Sequence, residues 1–209
     1  MKSADGPIKA VLLDLLMGVM DSVSVWTEAA AGDEDRGLAW RDAATRRMRT
    51  AGRYVPYEGL VTDAAAEVGL GDGDVHELLR LWPTMARWPD AAHFARLRVP
   101  YAFVTNCSTA LAVEAAGRSG LRPAFVLAAE EAGWYKPRPE IYLLACERIG
   151  ARPDEALFVA GSPYDAEGAR AAGLRVALVP RRPDVEAPEG VQLEGSLAEV
   201  VEAVEVGRV

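Results

Sequence analysis

Four places along the chain hold side chains able to carry hydrolytic chemistry. A largely apolar run, Ile8 to Leu13, ends on the carboxylate of Asp14. The run Val99–Val104 ends on Thr105-Asn106, with Ser108 just beyond. The stretch 133–142 offers Lys136 and Tyr142, and the stretch 160–165 offers Ser162, Tyr164 and Asp165. A carboxylate can attack a carbon or phosphorus centre and leave an acyl-type intermediate for water to open. An ammonium beside it keeps it ionised. Hydroxyl and amide groups orient a substrate by hydrogen bonds. Taken singly each signal is weak, since an Asp at a strand end commonly caps a helix and a loop Lys is commonly solvated. Four in this order are a pattern.

The elements that must position these groups can be read from the spacing. Residues 8–13 are short, apolar and bounded by polar punctuation, which predicts a buried strand. Residues 23–50 and 58–90 read as helices, punctuated by "AGDEDRG" and "GLGDGD", and the prolines of "LWPTMARWPDA" end the helical region. From residue 99 the texture alternates. Strands are expected within 99–108, 121–140, 154–173 and at 174–180, with Ala-rich helices between them and a closing helix at 196–206. Such alternation predicts βαβ units and a parallel sheet. Ligands then bind beyond the C-terminal ends of the strands, where all four chemical stretches fall. The core is expected to be discontinuous, residues 1–20 and 91–209, with residues 21–90 inserted after the first strand as a helical cap.

Composition narrows the function. The 209 residues are 50% hydrophobic and 26% charged, with a formal net charge of −8. That balance argues against non-specific nucleic-acid binding but not against a small anionic substrate met by a local cationic cluster. The two cysteines, Cys107 and Cys146, lie too far apart for zinc spacing and read as reduced core residues. There is no signal-peptide core, and no run approaches the ~18 apolar residues of a membrane span, so a cytoplasmic location without a membrane partner is expected.

With these motifs in hand, the chain resembles the haloacid dehalogenase (HAD) superfamily over nearly its whole length. Asp14 matches the nucleophile of the first motif, Thr105-Asn106 the second, Lys136 in "GWYKPRPEIY" the third, and "FVAGSPYDAEGARAAG" the fourth, with Asp165 as its acid. The resemblance implies an α/β fold: a Rossmann-like parallel sheet flanked by helices, with an inserted α-helical cap domain.

Two acids of that superfamily's phosphatases are missing. Their general acid two residues after the nucleophile is Leu16 here, and a metal-binding Asp of their fourth motif is Gly161. An alkoxide leaving group needs that proton, and Mg²⁺ needs carboxylate oxygens. A departing halide needs neither. The chain accordingly resembles the (S)-2-haloacid dehalogenase branch, whose cap carries an aromatic-Arg pair, here Trp40-Arg41, followed by Gly52-Arg53-Tyr54. Its third motif has a tyrosine six residues after the lysine, here Tyr142, and "SPYDA" resembles its polar-x-aromatic-Asp segment. The resemblance implies that Asp14 attacks the halogen-bearing carbon of a short 2-haloalkanoic acid, giving a 2-hydroxy acid through an aspartyl ester. Arg41 receives the halide, while Lys136 and Asp165 support Asp14. Thr105, Asn106, Leu16, Tyr142, Ser162 and Trp40 contact substrate. No cofactor is implied, Mg²⁺ included, and a homodimer is compatible with the branch. Departures from the branch are Gly18 for Thr, Leu16 for Tyr, Ala160 and Ser162 for Ser and Asn, and Asp42 for an amide. Two rival readings stay open: a phosphatase of a small phosphorylated metabolite, and a catalytically weakened binding protein of the same fold.

Overall fold

The computed structural model describes residues 6–182 and 185–207. Six strands form one sheet: β1 (Ala10–Asp14), β2 (Tyr101–Thr105), β3 (Val126–Ala128), β4 (Ala156–Ala160), β5 (Arg175–Leu178) and β6 (Gln192–Leu193). All pairings are parallel, in the order β3-β2-β1-β4-β5-β6, which is the Rossmann arrangement. Every residue of β1, β2 and β4 is buried. That is why these segments read as unbroken apolar runs: helices cover both faces of a parallel sheet. Asp14 pairs in register with Val104, and Leu13 with Val159. The acid therefore stands at the end of the central strand, between the exits of β2 and β4, where the connections diverge and a crevice opens.

The stretch between β1 and β2 is helical throughout its regular elements: α1 (Ser22–Ala29), α2 (Glu34–Thr50), α3 (Tyr57–Glu67) and α4 (Asp72–Leu81). The two long helices expected there are thus four. The first divides at Ala31 and Gly32, both at positive φ, before Asp33 caps α2 by accepting from Arg36 N at 3.0 Å. The second divides at Gly69, also at positive φ, before Asp74 accepts from Gly71 N at 2.8 Å. Between Leu81 and β2 the chain forms only 3₁₀ turns, Trp82–Thr84 and Pro89–Arg96; Pro83 has no N–H with which to continue α4. α1 and α2 touch backbone to backbone: a Cβ on Gly37 would lie 2.8 Å from Thr27 Cα.

The remaining helices are α5 (Thr109–Arg118), α6 (Ala129–Ala132), α7 (Pro139–Ile149), α8 (Pro163–Ala171) and α9 (Leu197–Glu205). α9 matches the expected closing helix and is capped by Ser196, which accepts from Glu199 N at 3.3 Å. β6 was not expected. Its two residues are exposed, so no apolar run marks them. Both cysteines are buried and free, and burial raises their thiols, Cys107 to about 12 and Cys146 to about 11. Among the described residues no helix is long and apolar enough to cross a membrane.

Candidate active site

The strand β1 delivers Asp14 and then turns at once. Leu15–Val19 form a single π-helical turn, closed by Met20 N donating to Leu15 O at 2.8 Å. Such turns are rare and recur at functional sites. Opposite Asp14 stands Lys136, whose side chain is 1% exposed. Its Nζ donates to Asp14 Oδ1 at 2.8 Å, Asp165 Oδ2 at 2.6 Å and Val104 O at 3.2 Å. Burial works against the ammonium, but the charges of Asp14 and Asp165 outweigh it and hold the lysine pKa above its ordinary value. Asp165 is raised by burial and, more weakly, by the like charge of Asp14, with Lys136 opposing both.

Each partner is held by its own local contacts. Asn106 bonds both main-chain groups of Lys136, donating from Nδ2 to Lys136 O at 3.0 Å and accepting from Lys136 N at 2.7 Å. The end of β2 is thereby stapled to the lysine loop. The Tyr142 hydroxyl donates to Asp165 Oδ1 and lies 3.2 Å from Asp165 O. α8 brings Asp165 in by close approach: a Cβ on Gly168 would meet Pro137 Cβ at 2.5 Å. The loop after β4 presses equally hard on the π-helical turn. A Cβ on Gly161 would lie 2.7 Å from both Gly18 N and Met17 Cβ.

That contact decides the fit of Mg²⁺. A carboxylate at position 161 has no room, and the two carboxylates that remain, Asp14 and Asp165, both already bind the Lys136 ammonium. Among the described residues no group of three or more His, Cys, Asp or Glu could hold a metal ion. The donor set does not fit an octahedral oxygen-ligated cation.

Asp14 opens onto a small cavity of about 40 Å³. Lys136 and Asn106 share its floor, Arg41 reaches in from α2, and Leu16, Met17, Trp26, Met48, Tyr57 and Tyr164 contribute walls. The Arg41 side chain is 15% exposed, and its ion-pair contact is a long one, 3.8 Å to Asp42 Oδ1. A second cavity of about 180 Å³ adjoins the first, sharing Met17, Arg41, Thr45 and Tyr164 and adding Ser162 and Arg182. Burial raises Tyr164 to about 12, so its hydroxyl stays protonated. The site thus pairs a lysine-held carboxylate with a guanidinium across a mostly apolar space, an arrangement suited to nucleophilic attack with departure of an anion.

A family model for haloacid dehalogenase-like hydrolases matches residues 10–173. The chain belongs to that family. It is 27% identical over 191 residues to the (S)-2-haloacid dehalogenase of Xanthobacter autotrophicus, covering 83% of this chain and 76% of that enzyme. It superposes with a TM-score of 0.79, at 22% identity, on the L-2-haloacid dehalogenase of that organism solved with chloropropionic acid covalently bound, covering 95% of this chain and 98% of the other. Over a shorter stretch of 79 residues, 37% of this chain and 42% of the relative, it is 33% identical to fructose-1-phosphate phosphatase YqaB of Escherichia coli (strain K12).

In this HAD-like hydrolase, the fold brings together Asp14, Lys136 and Asp165 in one hydrogen-bonded cluster, and Arg41, Leu16 and Asn106 in the cavity wall. The other expected contacts lie elsewhere. Trp40 is fully buried within the helical insertion, its indole N–H donating to Val61 O at 2.8 Å and its ring 4.8 Å from that of Trp26. Thr105 is also fully buried, its hydroxyl 3.7 Å from Cys107 Sγ. Tyr142 stands behind Asp165, and Ser162 borders the second cavity only. Sequence reasoning missed Thr45 and Met48 as lining residues, although both follow Arg41 at helical spacing and so share its face of α2. Tyr57 carried no such signal. It reaches the cavity because α3 is tied to the core, where Ser108 Oγ donates to Glu58 Oε1 at 2.6 Å.

Proposed function

We propose that this hydrolase converts a short 2-haloalkanoic acid to the 2-hydroxy acid through a covalent ester on Asp14. One observation carries the reading: the Lys136-held carboxylate of Asp14 faces Arg41 across a small, mostly apolar cavity, with Leu16 where a proton donor would stand. Asp14 attacks the carbon bearing the halogen from the side opposite the leaving group. The halide departs toward the Arg41 guanidinium and needs no proton. Water then attacks the Asp14 carboxyl carbon; one of its protons goes to the departing alkoxide oxygen and the other to solvent, which releases the hydroxy acid and restores the carboxylate. Asn106 in the cavity lining and neighbouring main-chain N–H groups at the end of β2 hold the substrate carboxylate. Both oxygens of Asp165 already accept bonds, from Lys136 and Tyr142, so Asp165 acts by fixing the lysine. The helical insertion serves as the cap that excludes water and strengthens each charge interaction inside.

The (S)-2-haloacid relative and the solved haloacid dehalogenase support this reading. The partial match to a phosphatase keeps phosphate ester hydrolysis as the rival, but Leu16 and the steric closure at Gly161 work against it. The test is chloride or bromide release from a panel of short 2-haloacids, with and without EDTA, beside phosphate release from a panel of small phosphate esters. Halide release in EDTA supports the proposal. Mg²⁺-dependent phosphate release without halide release overturns it.

A further inference from the structure

The turn that bears Asp14 is gripped from outside by residues with no place in the chemistry above. A π-helical turn of five residues satisfies few of its own carbonyls, and buried carbonyls require partners. Here Met17 O accepts from Trp88 Nε1 at 3.0 Å, Gly18 O from Arg181 Nη2 at 2.6 Å and Val19 O from Trp88 N at 3.0 Å. The Arg181 side chain is only 8% exposed. Its Nη1 pairs with Asp90 Oδ2 at 2.9 Å, and its guanidinium lies 5.1 Å from the centre of the Trp88 ring. Asp90 Oδ2 also accepts from Leu197 N, at 2.9 Å, where α9 begins. Three remote parts of the chain thus converge on one turn: residues 88–90, the exit of β5 and the start of α9.

Gly18 is where that grip meets the nucleophile. A Cβ on Gly18 would lie 3.5 Å from Asp14 Cβ, so the Gly18 backbone runs close beside the nucleophile's side chain. Glycine has no side chain with which to fix the turn and gives the backbone its greatest freedom. The constraint must come from outside. Nor is the ion pair built as a simple brace for the fold. Among the described residues neither Arg181 Nε nor Asp90 Oδ1 has a hydrogen-bond partner, and half-satisfied buried pairs stabilise poorly. What the pair does accomplish is to hold a cationic donor on Gly18 O.

We propose that Arg181 is a positioning residue: through the Gly18 carbonyl it fixes the turn that aims Asp14 at the substrate carbon. The kinetic consequence rests on the dehalogenase reading, whereas the constraint on the turn does not. The experiment compares wild type, Arg181→Met and Arg181→Lys by hydrogen–deuterium exchange of the free protein and by halide release. In Arg181→Met, exchange over residues 15–20 should quicken while that of β2 and β4 stays unchanged. Misaimed attack should lower kcat on the order of 10- to 100-fold with KM within about threefold. Arg181→Lys keeps a cation and should recover part of kcat. If Arg181→Met fails to fold, Arg181→Lys and Trp88→Phe, which removes the donor to Met17 O, serve for both readouts. Unchanged exchange in the turn, or full kcat with only a lowered Tm, overturns the proposal. Should wild type release no halide from any 2-haloacid, the proposed function falls, and the exchange measurement alone decides whether Arg181 holds the turn.

Discussion

In the proposed reaction Asp14, Lys136 and Arg41 divide the work by charge, and each makes a separable prediction. Arg41→Ala should lower kcat while leaving the fold intact, because a lost charge-assisted contact to a developing halide costs on the order of 2–4 kcal/mol of transition-state stabilisation. Steady-state halide release with a circular dichroism control measures it, and wild-type kinetics would return Arg41 to an ordinary surface arginine. Lys136→Met should instead be a stability mutant. It leaves Asp14 and Asp165 buried without their cation, a loss of about 3–5 kcal/mol for a broken buried pair. The raised lysine pKa means its stabilising contribution is fully present below the unfolded value of about 10.4 and is lost only as pH rises through the folded one. Denaturant unfolding at neutral pH should therefore show the full deficit, and a midpoint unchanged from wild type would contradict the placement. Asp14 and Lys136 were legible in the sequence through the order of the four motifs, and Arg41 only through the resemblance of Trp40-Arg41 to the dehalogenase branch; singly, each would have read as a cap or a solvated charge. Thr105, Ser162 and Trp40 were read as contacts from motif position alone. Whether such a side chain turns into the cavity depends on tertiary packing, which spacing does not encode.

At the level of elements, the close approach between the loop after β4 and the π-helical turn does as much as any charge. Gly161→Asp would restore a carboxylate at that position, yet the added side chain meets Gly18 N and Met17 Cβ at 2.7 Å from its first carbon. The expected result is a destabilised protein, by roughly 1–3 kcal/mol from overpacking, without Mg²⁺-dependent phosphatase activity. A stable variant that hydrolyses phosphate esters with Mg²⁺ would contradict it. The parallel strands were readable because burial on both faces writes them as apolar runs, and the breaks at Gly32 and Gly69 because glycine at positive φ ends helices. The π-helical turn was not readable as more than a turn at Met17-Gly18. Its form is set by donors from Trp88 and Arg181, about 70 and 160 residues further along.

For the molecule as a whole, the buried cluster sets the response to pH. Burial raises the Asp165 pKa, so as pH falls it takes a proton earlier than an ordinary carboxylate and leaves Lys136 with one charged partner. Activity should therefore decline on the acid side before ordinary carboxylates titrate. The sign for stability is opposite: a carboxylate with a raised folded pKa stabilises most below its unfolded value near 3.9 and loses that contribution as pH rises through the folded one. Paired kcat and Tm profiles should thus separate, activity falling while Asp165 adds no instability of its own, and coincident falls would contradict this. Halide release should also persist in EDTA, since the carboxylates of the site, already paired with Lys136, do not fit a divalent cation. The proposed reaction turns on Asp14 forming a bond to substrate rather than activating water. The most direct measurement is a single turnover of a 2-haloacid in ¹⁸O water with enzyme in excess. Water attacks the ester at the Asp14 carboxyl carbon, so the label should enter Asp14, read by mass spectrometry of its peptide, and the product hydroxyl should be unlabelled. A labelled product with an unlabelled Asp14 would contradict covalent catalysis.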